Sequence, residues 1–159
     1  MHMGVPVECI RKAVAEFKAV EHRIEFVREV GGVKYYNDSK GTNPDAAIKA
    51  VEAMVTPTVV IGGGYDKQSS YEEWIASFGD KVKCLVLLGA TADKIEATAR
   101  KAGFTNIVRV GSLKEAVEAS AVQAQSGDAV LLSPACASWD MFKSYEQRGT
   151  LFKEYVNQL

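Results

Sequence analysis

The chain has 159 residues, enough for one domain with a proper core. Apolar residues make up 47% of it and charged residues 25%, an ordinary globular mix with a net charge of −1. Both signs are spread along the chain, which argues against a nucleic-acid or membrane footprint, and no apolar run is long enough to span a bilayer.

The three cysteines, Cys9, Cys84 and Cys136, are far apart and form no C-x-x-C pair. A disulfide scaffold and a thiolate metal site are therefore not expected, and a cytoplasmic protein fits best. Met1-His2-Met3 reads as the remnant of a tag, and no signal peptide is visible.

Gly4-Val5-Pro6 opens a predicted helix that runs to about Val20, with Val7, Ile10, Val14 and Phe17 on one face. A boundary falls near Val20 to His22. Ile24–Val27 and Val33–Tyr36 read as two short strands joined by Gly31-Gly32, which predicts an antiparallel hairpin. From there the rhythm is β-α-β-α. Predicted strands are Thr58–Ile61, Cys84–Leu88, Asn106–Val110 and Asp128–Leu132. Predicted helices are Asp45–Met54, Tyr71–Phe78, Ala92–Ala102 capped by Thr91, and Ser112 to about Gln125. Ser112 with Glu115 three residues on is a capping box. The tail from Trp139 to Val156 reads as helical with a break near Ser144. Short apolar strands alternating with amphipathic helices predict an α/β fold: Rossmann-like, three layers (α/β/α), a mostly parallel sheet and an antiparallel N-terminal hairpin.

In such a sheet, ligands bind beyond the carboxyl ends of the strands, and three of those ends carry unusual loops. The first is Asn37-Asp38-Ser39-Lys40-Gly41-Thr42-Asn43-Pro44. Asn43 is a good N-cap and Pro44 suits the first helical position, so N–H groups and the helix dipole face outward there. Lys40 adds a charge, Ser39 and Thr42 add hydroxyls, and Asp38 suits orienting a cation, a metal-bound water or a ribose hydroxyl. The plainer reading is a capped turn with polar surface residues.

The second loop is Gly62-Gly63-Gly64-Tyr65-Asp66-Lys67. It lacks the spacing of a P-loop and the third glycine of a dinucleotide fingerprint. Lys67 offers a point charge for a carboxylate or phosphate, or is a surface lysine after a flexible turn. The third loop is Ser133-Pro134-Ala135-Cys136-Ala137-Ser138. Ser138 alone reads as the N-cap of the last helix, and Cys136 as a small buried side chain with no histidine near it in sequence. Trp139, Phe142 and Tyr145 read as sheet-packing aromatics. His22 reads as structural, while Arg23 either reaches a phosphate or pairs with Glu25. Lys40 and Lys67 with Thr42 and Ser138 together suit a small dianion. No metal cluster, catalytic triad or P-loop accompanies them, so the residues alone name no reaction.

These pieces resemble the C-terminal domain of the Mur ligases, in the branch that adds D-glutamate during peptidoglycan synthesis. The resemblance rests on His22-Arg23-Ile24-Glu25, the three loops above, Trp139-Asp140, Glu146-Gln147-Arg148-Gly149 and Phe152, in order from about His22 to the end. It implies an ATP-dependent, amide-forming ligase with three domains, Mg and most of the ATP site being held by a central domain. The partners it implies are D-glutamate, UDP-N-acetylmuramoyl-L-alanine, ATP and the protein's own first two domains. Lys67, Thr42 and Ser138 are then expected to hold the two carboxylates of D-glutamate. Tyr145 is expected beside the side-chain carboxylate with Lys40 close by, and Arg23 and Asp38 at the phosphate and ribose ends of ATP. No catalytic residue and no metal ligand is implied within the chain. The expected organisation is residues 1–3 as a tag remnant, 4–21 as the trailing helix of the central domain, and 22–159 as the C-terminal domain. Without the other domains the chain is expected to be inactive, its first helix repacking on the domain or mediating self-association. The competing expectation is a stand-alone Rossmann-like module that binds a nucleotide or a small anionic amino acid. Sibling ligases that add other amino acids are a third.

Overall fold

A computed structural model describes residues 4–16 and 20–159. Six strands form one sheet in the order β1-β2-β6-β3-β4-β5. The strands are β1 (Glu25–Val30), β2 (Val33–Asn37), β3 (Thr58–Gly62), β4 (Val82–Leu87), β5 (Ile107–Arg109) and β6 (Ala129–Leu132). Only β1 runs antiparallel, against β2 across the Gly31-Gly32 turn; every other pairing is parallel. The mostly parallel sheet and its hairpin are as expected.

The helices are α1 (Val7–Glu16), α2 (Pro44–Ala53), α3 (Glu72–Ala76), α4 (Ala92–Lys101), α5 (Leu113–Gln123) and α6 (Tyr145–Asn157). Strands β3 and β6 are buried at every position, because helices cover both faces. On one face α2, α3 and α4 cluster with Val60, Leu85, Leu87 and Leu131. On the other, α5 and α6 cluster with Val59, Ile61, Val86, Val130 and Leu132. The alternate residues of each strand therefore serve alternate cores. The result is a doubly wound, Rossmann-like three-layer domain.

Three departures from the predicted elements have local causes. Thr91 does not cap α4; its hydroxyl is engaged by Gly64 instead. The last helix starts at Tyr145, because Ser144 supplies the cap by accepting from the Gln147 N–H. Ser138 is thus not its N-cap; its carbonyl accepts from the Met141 and Phe142 N–H groups and closes a separate turn. Ile24 stays outside β1, with a positive φ of 45°.

Helix α1 buries no residue. Val14 is 70% exposed, and Val7 and Ile10 share the apolar stripe with it; Phe17, predicted on the same face, lies outside the described residues. The expectation that this helix repacks on the domain is therefore not met among the described residues.

Candidate functional site

Strands β2, β6 and β3 are neighbours in the sheet, so the loops at their carboxyl ends leave side by side. Asn37 pairs with Leu132 and Ile61 pairs with the same residue from the other side. Backbone bonds continue beyond the strands. The Asp38 N–H donates to Leu132 O (2.8 Å), the Gly63 N–H to Pro134 O (2.9 Å) and the Tyr65 N–H to Ala137 O (2.9 Å). The three loops thus form one connected rim. Asn43 accepts from the Ala46 N–H (2.9 Å) and Pro44 opens α2, as the pattern predicts.

Glycine is required at two points of the second loop. Gly63 and Gly64 have φ of 106° and 146°. A Cβ on Gly63 would collide with the Leu88 carbonyl, and one on Gly64 with the Ala137 carbonyl. Thr91 fixes this loop, its hydroxyl accepting from the Gly64 N–H and donating to Gly64 O, both at 3.0 Å. The Cys136 thiol lies 3.2 Å from that hydroxyl and 3.1 Å from the Tyr71 hydroxyl. Burial pushes the Cys136 thiol up, away from a reactive thiolate, which fits the reading of a small core cysteine.

A buried polar layer underlies the rim. Asp38 is 1% exposed; its carboxylate accepts from the Ser133 hydroxyl (2.8 Å) and the Ile24 N–H (3.3 Å). Burial pushes its pKa up to about 6, against the opposing pull of those donors and of Arg23. Expected at the ribose end of ATP, Asp38 is buried here and holds the Ile24 N–H from beneath. His22 is also buried, at 2.9 Å from the Asn37 amide through Nδ1, and its carbonyl accepts from the Lys40 N–H (3.0 Å). His22 and Ile24 both have positive φ, 62° and 45°. For a β-branched residue this is an unusual, strained backbone, held in place by the Asn37, Asp38 and Lys40 contacts. Between them Arg23 is exposed, and Glu25 pairs with Lys153 (3.1 Å).

At the surface of the rim, Lys40 Nζ stands 5.9 Å from the Tyr145 ring and Lys67 Nζ 6.0 Å from the Trp139 ring. Asp66 bonds to Lys94 rather than to Lys67 (3.2 Å). Thr42 is half-buried and Ser138 buried. Of the aromatics expected to pack the sheet, only Phe142 joins a core cluster. Trp139 is 65% exposed and lies against Tyr65 (5.7 Å between ring centroids), while Tyr145 meets His22 edge-on at 6.2 Å.

Arg148, named in the sequence only within Glu146-Gln147-Arg148-Gly149 and given no role there, underlies the rim. It is 2% exposed on α6, and its guanidinium bonds to one residue of the first loop and two of the third. Nε donates to Ser39 Oγ (3.0 Å) and Nη2 to Ser39 O (2.9 Å). Both Nη atoms donate to Cys136 O (3.2 Å each), and Nη1 also donates to Ala137 O (3.3 Å). Burial lowers its pKa to about 10. The signal was its spacing: Arg148, Phe152 and Val156 recur every four residues, on the buried stripe of α6. Among the described residues one trio could ligate a metal, Glu21, His22 and Glu25, but Lys153 already bonds both of its carboxylates. It does not suit magnesium.

Comparison with known proteins places this rim in a family. The family model "Mur ligase, glutamate ligase domain" matches residues 22–136. The UDP-N-acetylmuramoylalanine--D-glutamate ligase of Lachnoclostridium phytofermentans is 61% identical over 157 residues, 99% of this chain and 35% of that protein. The ligase of the same name from Lachnospira eligens is 59% identical, over 98% of this chain and 35% of that protein. The chain thus spans about a third of the length of these relatives. Among solved structures, the UDP-N-acetylmuramate-alanine ligase of Thermotoga maritima superposes with a TM-score of 0.67 at 14% identity, over 98% of this chain and 34% of that one. A Mycobacterium tuberculosis folylpolyglutamate synthase complexed with ADP and AMPPCP gives 0.63 at 13% identity, over 94% and 36%. At these identities the structures speak for the fold. By the family match over most of its length, the chain belongs to the Mur ligase, glutamate ligase domain family.

Proposed function

We propose that the chain is the D-glutamate-binding domain of an ATP-dependent ligase that extends UDP-N-acetylmuramoyl-L-alanine. Residues 22–159 are that domain, and residues 4–21 are the trailing segment of a preceding ATP-binding domain. The observation that supports it most is the joining of three loops into one rim that carries Lys40 and Lys67. Asp38 is turned inward and Asp66 outward to Lys94. Such a rim suits a dianion.

In this reading Lys67, Thr42 and Ser138 hold the two carboxylates of D-glutamate, and Tyr145 with Lys40 flanks the side-chain carboxylate. Arg23, exposed on its strained segment, meets a phosphate of ATP; Asp38 serves it by fixing Ile24. ATP supplies the phosphoryl group that activates the terminal carboxylate of the acceptor. The D-glutamate amine attacks that carbonyl carbon, the C–N bond forms, phosphate leaves with the C–O electron pair, and the amine sheds a proton. The domain contributes placement and charge rather than a nucleophile. Magnesium belongs to the preceding domain, since the Glu21, His22 and Glu25 trio does not suit it.

A chimera tests this. The chain replaces the matching third of the Lachnoclostridium phytofermentans relative, and phosphate release is followed with UDP-N-acetylmuramoyl-L-alanine, ATP and D-glutamate. D-glutamate-dependent release is expected, with none from the chain alone and a loss of about a hundredfold in kcat/KM on Lys67→Ala. Release that does not depend on D-glutamate contradicts the reading.

A further inference from the structure

Arg148 is a buried cation whose visible partners are not anions. Its five hydrogen bonds go to the Ser39 hydroxyl and to the Ser39, Cys136 and Ala137 carbonyls. Among the described residues no carboxylate lies within 4 Å of it. A charge held this way is costly, because burial removes water and carbonyl dipoles only partly replace a counter-ion. Its place gives the reason to keep it. Ser39 immediately precedes Lys40, and Ala137 immediately precedes Ser138. The planar fork thus grips the backbone next to one substrate-facing residue on each of two loops. A Cβ on Gly64 would stand 3.4 Å from Nη1, so the fork also lies behind the second loop. The donors are fixed in a plane, which a lysine cannot reproduce.

We propose that Arg148 is the positioning residue of this site: its fork sets the spacing of the loops bearing Lys40 and Ser138, and its charge biases the rim toward ligands with two carboxylates. The second half of this rests on the D-glutamate reading; the first half does not. Arg148 touches no ligand in this account and acts through backbone on either side. An amino acid with one carboxylate fewer gains less from a positive charge beneath the rim, so the preference for D-glutamate over D-glutamine reports the charge. Local opening of the loops reports the fork.

The test uses the isotope-labelled chain and its R148K and R148M variants. D-glutamate and D-glutamine are titrated by NMR, and amide exchange is followed at Gly41 and Tyr65, whose N–H groups are bonded within the rim, and in β3 and β4 as controls. In R148M the affinity for D-glutamate is expected to fall about tenfold, that for D-glutamine less, and the preference to narrow. R148K is expected to keep the preference while both variants exchange faster at Gly41 and Tyr65 and not in the controls. Three results overturn the proposal: an unchanged preference in R148M, unchanged rim exchange, or acceleration that is equal in β3 and β4, which marks a merely structural residue. If R148M does not fold, R148K decides by its exchange pattern. If the wild-type chain binds no D-glutamate, the functional reading fails, and the exchange pattern still judges the fork.

Discussion

The two ends of strand β6 treat buried acids in opposite ways. At its start, Asp128 bonds to Lys83 (2.7 Å) and accepts from the Gln125 N–H (2.8 Å). Burial pushes that carboxyl up, but the ion pair and the N–H outweigh it and hold the pKa below the usual value. Beyond the end of β6, Asp38 meets a hydroxyl and one N–H, with no bonded cation, and burial raises it to about 6. Arg148, at the same end of the sheet, bonds only to neutral oxygens. The buried acid at one end of β6 is thus paired with a cation, and the one at the other end is bonded only to neutral donors. The difference marks the carboxyl rim as the place where stability has been given up for a fixed, charged surface.

Glycine replacements break this contrast most sharply. Gly63→Ala adds a collision with the Leu88 carbonyl to the cost of a left-handed residue, and a loss of more than about 3 kcal/mol is expected by chemical denaturation. Gly127, at the opposite end, also has positive φ (96°) but open space around its Cβ position. Gly127→Ala should cost only about 1 kcal/mol.

Neutralising the two acids should move stability in opposite directions with pH. Asp38 has a folded pKa above its unfolded value, so its charged form weakens the fold as pH rises through about 4 to 6. Asp38→Asn keeps an acceptor for Ile24 and is expected to stabilise at pH 7 by an amount on the order of 2–3 kcal/mol, the gain vanishing below about pH 4. Asp128 has a depressed pKa, so its contribution is present above the ordinary carboxylate range and is lost as pH falls through the folded value. Asp128→Asn should cost about 1–2 kcal/mol at pH 7, given that Lys83 is partly exposed, and nothing in strong acid. Denaturant melts from pH 3 to 8 compare both; equal signs would erase the contrast.

Smaller effects sharpen it. Trp139→Ala removes the ring against which Lys67 rests, so ligand affinity should drop about two- to fivefold. Stability should stay within about 0.5 kcal/mol, since the ring is exposed. Deleting residues 1–16 should change the melting midpoint least of all, because α1 buries nothing. Sedimentation of the chain with and without that segment checks whether its apolar stripe joins copies; a monomer in both cases excludes that.

The backbone plan was legible because its signals are local. The apolar run ending at Gly62 and the Ser112–Glu115 capping box both fall where expected, with Ser112 Oγ accepting from the Glu115 N–H (3.2 Å). The adjacency of the three loops was legible as an expectation of the fold. What escaped was set by partners far away in the chain. The Arg148 fork binds residues 109 positions earlier, and spacing on α6 marks only that its side chain turns inward. Thr91 reads as a cap by position, yet the nearby Gly64 backbone takes its hydroxyl. Asp38 reads as a surface acid in a polar loop, yet Ser133, just beyond β6, bonds to it in the buried layer. Ser138 reads as the cap of the last helix, yet Ser144, where the sequence shows only a break, supplies it.

The account stands or falls on whether the carboxyl rim takes an acidic D-amino acid. Titrating the labelled chain with D-glutamate, L-glutamate and meso-diaminopimelate is expected to shift the amides of Lys40, Thr42, Lys67 and Ser138 with D-glutamate most strongly. No shift at these residues, or equal shifts with all three ligands, would contradict it.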